Sequence, residues 1–265
     1  VKLLIKLGGT LLDCEESRNR LAHEITAVAG AHHVTVVHGG GKQMTRFLAE
    51  RGIESRFVAG LRVTTPEVLD AVLKVFAGTV NHELVAAFVA AGTRAVGLSG
   101  IDAGLAACEP LDPALGSVGR QVGADTDLLD LLTGHGYLPV VACVGGDRTG
   151  RIYNVNADQM AVACATAWRA DCIVFLTDVE GVRGRDGGIV SRLTAAAARE
   201  LISEGIATGG MQAKLSAAEK ALEGGAGTVI IAPGSTPGVM ERLLAGEALG
   251  TRMLVSAGQE VPAGD

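Results

Sequence analysis

The sequence predicts an α/β protein, a three-layer αβα sandwich whose central sheet is mostly parallel and covered by helices on both faces. Three observations carry this reading. Short, continuously apolar runs alternate with segments of helical periodicity along the chain, as expected where strands are buried on both faces and the crossovers are helical. Hydrophobic residues make up 48% of the 265 residues and charged residues 20%, which suits a sizeable core. Glycine, at 37 residues, is over-represented and collects where apolar runs end, where backbone turns sharply or approaches a ligand.

Taken in order, Lys2–Leu7 reads as the first strand. Leu21, Ile25 and Val28 recur at helical spacing behind Ser17, a residue type that caps helices. Val34–Val37 is a second strand, and a helix from about Lys42 to Arg51 follows it. Thr65-Pro66-Glu67 opens another helix, since proline suits the first helical position. Further strands are expected at Ala95–Leu98, Leu138–Cys143, Cys172–Leu176 and Thr228–Ala232. The helices between them are expected at Thr126–Thr133, Asp158–Trp168, Thr194–Ser203 and Met211–Leu222. Two polar, Gly-rich stretches, Leu105–Val122 and Gly145–Asn154, each fit a β-hairpin. The length suits one large body or two fused lobes. Strand-turn signals restart near residue 173, so an N-terminal lobe of 1–173 and a C-terminal lobe of 174–265 are expected, with Ser256–Asp265 a loose tail.

Composition excludes several classes of function. Aromatic residues are only 3%, and 23 Lys plus Arg against 29 Asp plus Glu give a net charge of −6. That argues against base-stacking platforms and a general nucleic-acid surface, while leaving room for a local cationic pocket. The longest apolar runs, such as Val85–Ala91 and Leu138–Val144, fall short of the roughly 18 residues of a membrane span. No secretory signal pattern opens the chain, so a cytoplasmic location is expected. The five cysteines are widely spaced without a Cys-x-x-Cys pair, which suits buried small hydrophobes in a reducing compartment.

Five motifs carry chemistry. Lys6-Leu7-Gly8-Gly9-Thr10 ends the first strand, where an ammonium group and glycine amides can meet an anion; alone, it equally fits a snorkelling lysine before a plain turn. His38-Gly39-Gly40-Gly41-Lys42 lies between a strand and a helix, a cradle for phosphate or carboxylate. It is neither a Walker A loop nor a dinucleotide fingerprint, because Gln43 and Met44 occupy the deciding positions. Asn154-Val155-Asn156-Ala157-Asp158 offers more polar groups than one helix cap uses. Thr177-Asp178-Val179-Glu180-Gly181-Val182 follows a strand. Gly209-Gly210-Met211-Gln212-Ala213-Lys214 opens a helix, with Lys214 in a first turn whose dipole disfavours a cation; an anionic partner and a surface lysine both remain open there.

Together with Gly60-Leu61-Arg62-Val63-Thr64, these motifs, in this order and from Lys2 to about Val255, resemble the amino-acid kinase family. The likeness is strongest to its members that phosphorylate N-acetylglutamate. It implies a carbamate-kinase-like version of the sandwich, with the acyl-amino-acid site and dimer contact in the N-terminal lobe and ATP in the C-terminal lobe. It implies that Lys6 and Lys214 stabilise the transferring phosphoryl group and that Asp158 orients both. Gly40 and Gly41 match the glycine loop near the acyl substrate and γ-phosphate, with Gly8 and Gly9 opposite. Arg62 and Asn154 match the pair that grips the substrate's α-carboxylate. The nucleotide pocket falls on Thr177, Asp178, Val179, Glu180, Gly181, Val182 and Arg183, and on Ile206, Ala207, Thr208, Gly209 and Met211. ATP is the co-substrate, with Mg²⁺ held mainly by its phosphates and no protein residue assigned to a metal. The implied partners are N-acetyl-L-glutamate, MgATP and a second copy of the chain, without nucleic acid or membrane.

The implied chemistry agrees with the residues present. A γ-carboxylate has a pKa of about 4.3 and is ionised at neutral pH, so no general base is needed. The barrier is then the repulsion between an anion and a polyanion, which ammonium groups and loop amides offset. Two rivals are weighed. A kinase for aminoadipate or glutamate on an acidic carrier protein would need a basic docking surface. A non-catalytic nucleotide-binding protein on the same fold would be expected to lack one of Lys6, Lys214 and Asp158. Arginine-inhibited relatives carry a helix before the first strand, and its absence here leads to the expectation of a homodimer insensitive to arginine.

Overall fold

The strongest apolar runs of the chain lie side by side in the middle of one sheet. A computed structural model describes residues 1–254, so the expected tail Ser256–Asp265 lies outside the described residues. The chain begins with β1 (Lys2–Leu7), α1 (Glu15–Ala29), β2 (His33–His38) and α2 (Gly41–Ala49). A short antiparallel pair follows, β3 (Phe57–Val58) and β4 (Leu61–Arg62). Next, α3 (Pro66–Val72) runs through a π-helical stretch, Leu73–Val80, into α4 (Asn81–Ala90). The middle of the chain holds β5 (Arg94–Ser99), β6 (Ala107–Pro110), β7 (Val118–Gly123), α5 (Asp127–Gly134), β8 (Tyr137–Ala142), β9 (Val144–Gly146) and β10 (Ile152–Val155). Then come α6 (Ala157–Trp168), β11 (Cys172–Thr177), β12 (Arg192–Thr194), α7 (Ala195–Ser203) and α8 (Gly209–Glu223). The described chain ends with β13 (Thr228–Pro233), α9 (Val239–Leu244) and β14 (Thr251–Leu254).

The main sheet has eight strands in the order β12-β14-β13-β11-β1-β2-β8-β5. All its pairings are parallel except β13 with β14. Leu3, Leu4, Ile5 and Leu7 of β1 and Ile173, Val174, Phe175 and Leu176 of β11 are buried, as strands covered on both faces require. Helix α1 packs with α4 and α9, and α6 packs with α8, two groups that enclose the sheet. The three-layer sandwich with a mostly parallel sheet is therefore the observed fold. The sheet is continuous across residues 173 and 174, which lie inside β11.

Local sequence explains most element ends. Thr65 caps α3, its hydroxyl accepting from Val68 N, and Pro66 takes the first helical position. Thr194 caps α7 in the same way. For α1 the expectation needs correcting: Cys14, not Ser17, is the N-cap, without a side-chain bond, and Glu15 and Glu16 in the first turn complement the dipole instead. The two expected hairpins form as β6–β7 and β9–β10, and they also pair with each other into a small closed four-stranded sheet. The continuous helix Pro66–Ala90 is long and apolar enough by composition to cross a membrane. Here it is a core helix, burying Val68, Val72, Val75, Phe76, Val80, Leu84 and Phe88 against the rest of the chain.

Candidate active site

Register decides where the motifs meet. Leu7, the last residue of β1, lies opposite His38 of β2 and Leu176 of β11. The segments leaving these three strands therefore emerge together at the carboxyl edge of the sheet. From β1 the chain passes to β2 on one side, while β11 lies on the other, the topological switch where open α/β sheets bind ligands. Gly8 and Gly9, Gly39–Gly41, and Thr177 with Asp178 are the residues delivered there.

Two lysines converge on one carboxylate at this edge. Lys6 Nζ lies 2.6 Å from Asp158 Oδ1 and Lys214 Nζ 3.6 Å from Asp158 Oδ2. Lys6 is 7% and Asp158 8% exposed, so Lys6 does not snorkel to solvent. Burial opposes ionisation of Asp158, but the Lys6 and Lys214 charges outweigh it and hold the carboxyl below its ordinary range. The three side chains together carry one surplus positive charge at the floor of a glycine-lined edge. That suits a phosphoryl group that gains negative charge on its outer oxygens.

The Asn154–Asp158 segment divides its polar groups among three tasks. Asn156 is the α6 cap, its Oδ1 accepting from Asp158 N at 2.9 Å and Gln159 N at 3.2 Å. That frees Asp158 for the lysines, and its place in the first turn of α6 favours a negative charge. Asn154 Nδ2 donates to Thr64 Oγ1 at 3.1 Å, and Thr64 Oγ1 donates to Arg62 O at 2.8 Å, which ties Asn154 to Arg62. The Arg62 guanidinium donates to Thr45 Oγ1 at 2.9 Å, to Gly41 O at 3.2 Å and to Ser55 Oγ. It also stacks 4.6 Å from the Phe57 ring centre. Arg62 is thus held against the end of the glycine loop, with donors in its fork to spare.

The two glycine loops face each other. A Cβ built on Gly9 would stand 3.3 Å from Gly41 N. Gly41 has nothing within 4 Å of a built Cβ, so open space adjoins it. A Cβ on Gly40 would lie 2.9 Å from the Phe76 ring and 3.2 Å from Val80, so Gly40 is small because helix packs on it. Gly40→Ala is expected to lower stability by about 1–3 kcal/mol, the usual cost of overpacking, measured by urea denaturation.

The other assigned positions separate into two groups. Thr177 is buried at the end of β11 and its hydroxyl donates to Asp178 Oδ1 at 3.2 Å. Thr10 Oγ1 donates to Asp178 Oδ2 at 3.1 Å. Burial raises the Asp178 pKa, but its own backbone N–H, Thr10, Thr177 and Lys214 lower it to a net downward shift. Val179 and Glu180 are exposed and Ile206 is partly so. Val182 and Ala207 are buried in the core, Val182 N donating to Thr251 Oγ1 at 2.8 Å. Thr208 takes the N-cap position of α8 without a side-chain bond, and the helix starts at Gly209. Lys214 consequently sits in the second turn, which corrects its first-turn assignment and removes the argument from the helix dipole. Its pairing with Asp158 replaces that argument.

The amino acid kinase family pattern matches residues 2–233. The chain belongs to the amino acid kinase family. Among curated relatives, it is 63% identical over 257 residues to the acetylglutamate kinase of Solibacter usitatus, covering 97% of this chain and 100% of that protein. Among solved structures, it is similar to N-acetylglutamate synthase from Neisseria gonorrhoeae complexed with coenzyme A and N-acetyl-glutamate, with a TM-score of 0.87 and 26% identity. That match covers 97% of this chain and 60% of the synthase chain, so this chain spans about three fifths of that protein's length. Giardia carbamate kinase shares the fold at a TM-score of 0.73 and 15% identity, covering 96% of this chain and 99% of that one.

Within this amino acid kinase, several side chains of the site escaped the reading of the sequence as individual residues. Thr10 and Thr64 were parts of recognised motifs, but nothing in their spacing distinguished them as the links to Asp178 and Arg62. Ser55, Thr45 and Phe57 carried no signal at all. A cavity of about 350 Å³ lies beside the glycine loop, lined by Leu12, Phe47 and Val75 among others. Of its charged lining residues, Arg46 pairs with Asp13 at 3.2 Å and Arg18 with Glu83 at 3.5 Å, and it contains neither lysine of the site. Among the described residues no group of three His, Cys, Asp or Glu side chains is placed to hold a metal ion.

Proposed function

We propose that the chain acts as an acetylglutamate kinase, transferring the γ-phosphoryl group of MgATP to the γ-carboxylate of N-acetyl-L-glutamate in arginine biosynthesis. The observation that carries this reading is the convergence of Lys6 and Lys214 on Asp158 at the sheet edge that also bears two facing glycine loops. The substrate class follows from the 63% identical relative. In this mechanism the substrate carboxylate attacks the γ-phosphorus in line, and the ADP oxygen leaves with the bond electrons. Lys6 and Lys214 contact the migrating PO₃ unit, and Asp158 keeps their ammonium groups aimed. Lysine suits this as a compact point charge, and the ionised nucleophile needs no base.

Gly8, Gly9, Gly40 and Gly41 bring backbone amides to the phosphates. Arg62 and Asn154 take the substrate's α-carboxylate, for which the Arg62 fork is shaped. Thr177–Arg183 and Ile206–Met211 border the nucleotide. Mg²⁺ comes as part of the nucleotide substrate. Residues 1–173 supply the lobe for the acyl amino acid and, among the described residues, 174–254 the lobe for ATP. Arg62→Lys is expected to raise the KM for N-acetylglutamate about tenfold to a hundredfold with a much smaller change in kcat, as loss of a bidentate pair predicts. Steady-state kinetics with varied N-acetylglutamate measure this.

The protein acts as a homodimer in the cytoplasm. Among the described residues, strand β5 ends the sheet and pairs only with β8, so its other edge offers backbone groups to a second copy. Val89 of α4 is 55% exposed, apolar surface close by in the chain. All five cysteines are free, which fits a reducing compartment. The deciding experiment traps acyl phosphate with hydroxylamine, supplying MgATP with N-acetylglutamate, glutamate, aspartate or N-acetyl-aminoadipate in turn. Hydroxamate from N-acetylglutamate above the others is the expected result. A stronger signal from another acid, or from none, overturns the assignment.

A further inference from the structure

We infer that His38 and Asn81 are positioning residues for the phosphoryl-transfer site: the His38 ring, locked by Asn81, holds the first carbonyl of the Gly39–Gly41 loop and so sets the direction of the loop's remaining backbone N–H groups. The inference rests on the kinase reading above. It begins from a histidine for which the transfer chemistry has no use. His38 is the last residue of β2, fully buried at 0% exposure, opposite Leu7 of β1 and Ala142 of β8.

Both ring nitrogens have partners, and the partners dictate the tautomer. Nδ1 lies 2.8 Å from Gly39 O, and a carbonyl only accepts, so Nδ1 carries the proton. In the neutral ring Nε2 is then an acceptor, and 2.9 Å away stands Asn81 Nδ2, a donor. The same amide nitrogen donates to Val140 O at 2.8 Å, which fixes the amide in turn. A charged ring would turn a second N–H against the Asn81 donor in a dry site. Burial accordingly pushes the ring down to about 4, the Gly39 bond offsetting it only partly.

The surroundings are shaped to admit this pair. Asn81 is 3% exposed, and a Cβ on Gly97 of β5 would collide with its Oδ1. Asn81 follows directly on the π-helical stretch Leu73–Val80. A π turn shifts helix register. Here Phe76 and Val80 close on Gly40 while Asn81 reaches His38. The loop is thus gripped at Gly39 by a hydrogen bond and at Gly40 by packing. On its other side, a Cβ on Gly39 would stand 3.3 Å from Ala157, the neighbour of Asp158. A shift of this loop would move amide dipoles relative to the lysine pair, and preorganised donors lose effect steeply when displaced.

Two substitutions separate positioning from simple core filling. In His38→Gln the amide replaces Nε2, so the Asn81 link persists and the bond to Gly39 O is lost. In His38→Asn the amide replaces Nδ1 and can donate to Gly39 O. The expected result is a fall in kcat of about tenfold or more for His38→Gln with KM values within about threefold, and recovery of most of that loss in His38→Asn. Equal kcat in the parent protein and His38→Gln, or an equal loss in both variants, overturns the inference. If His38→Gln does not fold, ¹⁵N NMR of the imidazole in the parent protein decides: a proton on Nδ1 at neutral pH is expected, and one on Nε2 overturns it. Failure of the parent protein to form acyl phosphate would defeat the kinase reading instead, and the ring-nitrogen measurement would still judge the His38–Asn81 lock.

Discussion

Lys214→Ala is expected to lower kcat by about 10²–10³-fold while KM for both substrates stays within about tenfold. The reason is the timing of the charge it meets. An ammonium group 3.6 Å from Asp158 Oδ2 is already partly neutralised in the resting protein. Its surplus attraction grows only as the migrating PO₃ unit spreads charge onto its outer oxygens. Removing it therefore raises the barrier more than it weakens ground-state binding. The Lys214 side chain is 18% exposed against 9% for Lys6, so of the two ammonium groups it is the less buried one to truncate. Lys214→Arg should recover little, because a planar fork does not replace a point charge. Single-turnover and steady-state kinetics with N-acetylglutamate give the comparison, and unchanged turnover would take Lys214 out of the mechanism.

Asp158→Asn should damage both stability and rate. The substitution keeps shape and leaves the α6 cap intact, since Asn156 makes the capping bonds. It removes the only negative charge of the triad and leaves Lys6, 7% exposed, without a counterion. Losing one member of a buried ion pair costs about 3–5 kcal/mol, and kcat should fall at least as far as in Lys214→Ala because both ammonium groups lose their aim. The pH dependence has a definite sign. The folded-state pKa of Asp158 is depressed, so unfolded chains take up this proton first as pH falls. Its stabilisation is fully present above about pH 4–5 and fades as pH drops through the folded value. The stability gap between parent and variant should be constant near neutrality and shrink in acid. Urea denaturation from neutral pH to about pH 3 checks it.

The legibility of this chain varies with how each element is buried. Strands β1, β2, β8, β11 and β13 were readable because both their faces are covered, which leaves a continuous apolar run in the sequence. The short strands β3, β4, β12 and β14 were not, since two to four residues are too few to carry a periodicity. Thr65-Pro66 marked a helix start correctly because its cap is local chemistry. Ser17 misled because a capping residue type inside a first turn looks the same in sequence as one at its head. The hairpins of 105–122 and 145–154 were visible separately, but their closure into one sheet joins segments that only the fold brings together.

Residue types and their order were enough to determine the αβα architecture, the family, and the lysine and glycine motifs at the strand ends. Those properties are local: burial on two faces selects apolar runs, and loops that approach anions select glycine. The tertiary structure alone decided which polar group does what. It made Asn156 the cap and linked Asn154 through Thr64 to Arg62. It also placed Lys214 in a second helical turn and set His38 against Asn81. Such assignments depend on distances between residues remote in the chain, and no spacing along a sequence encodes those until the strands have paired in register.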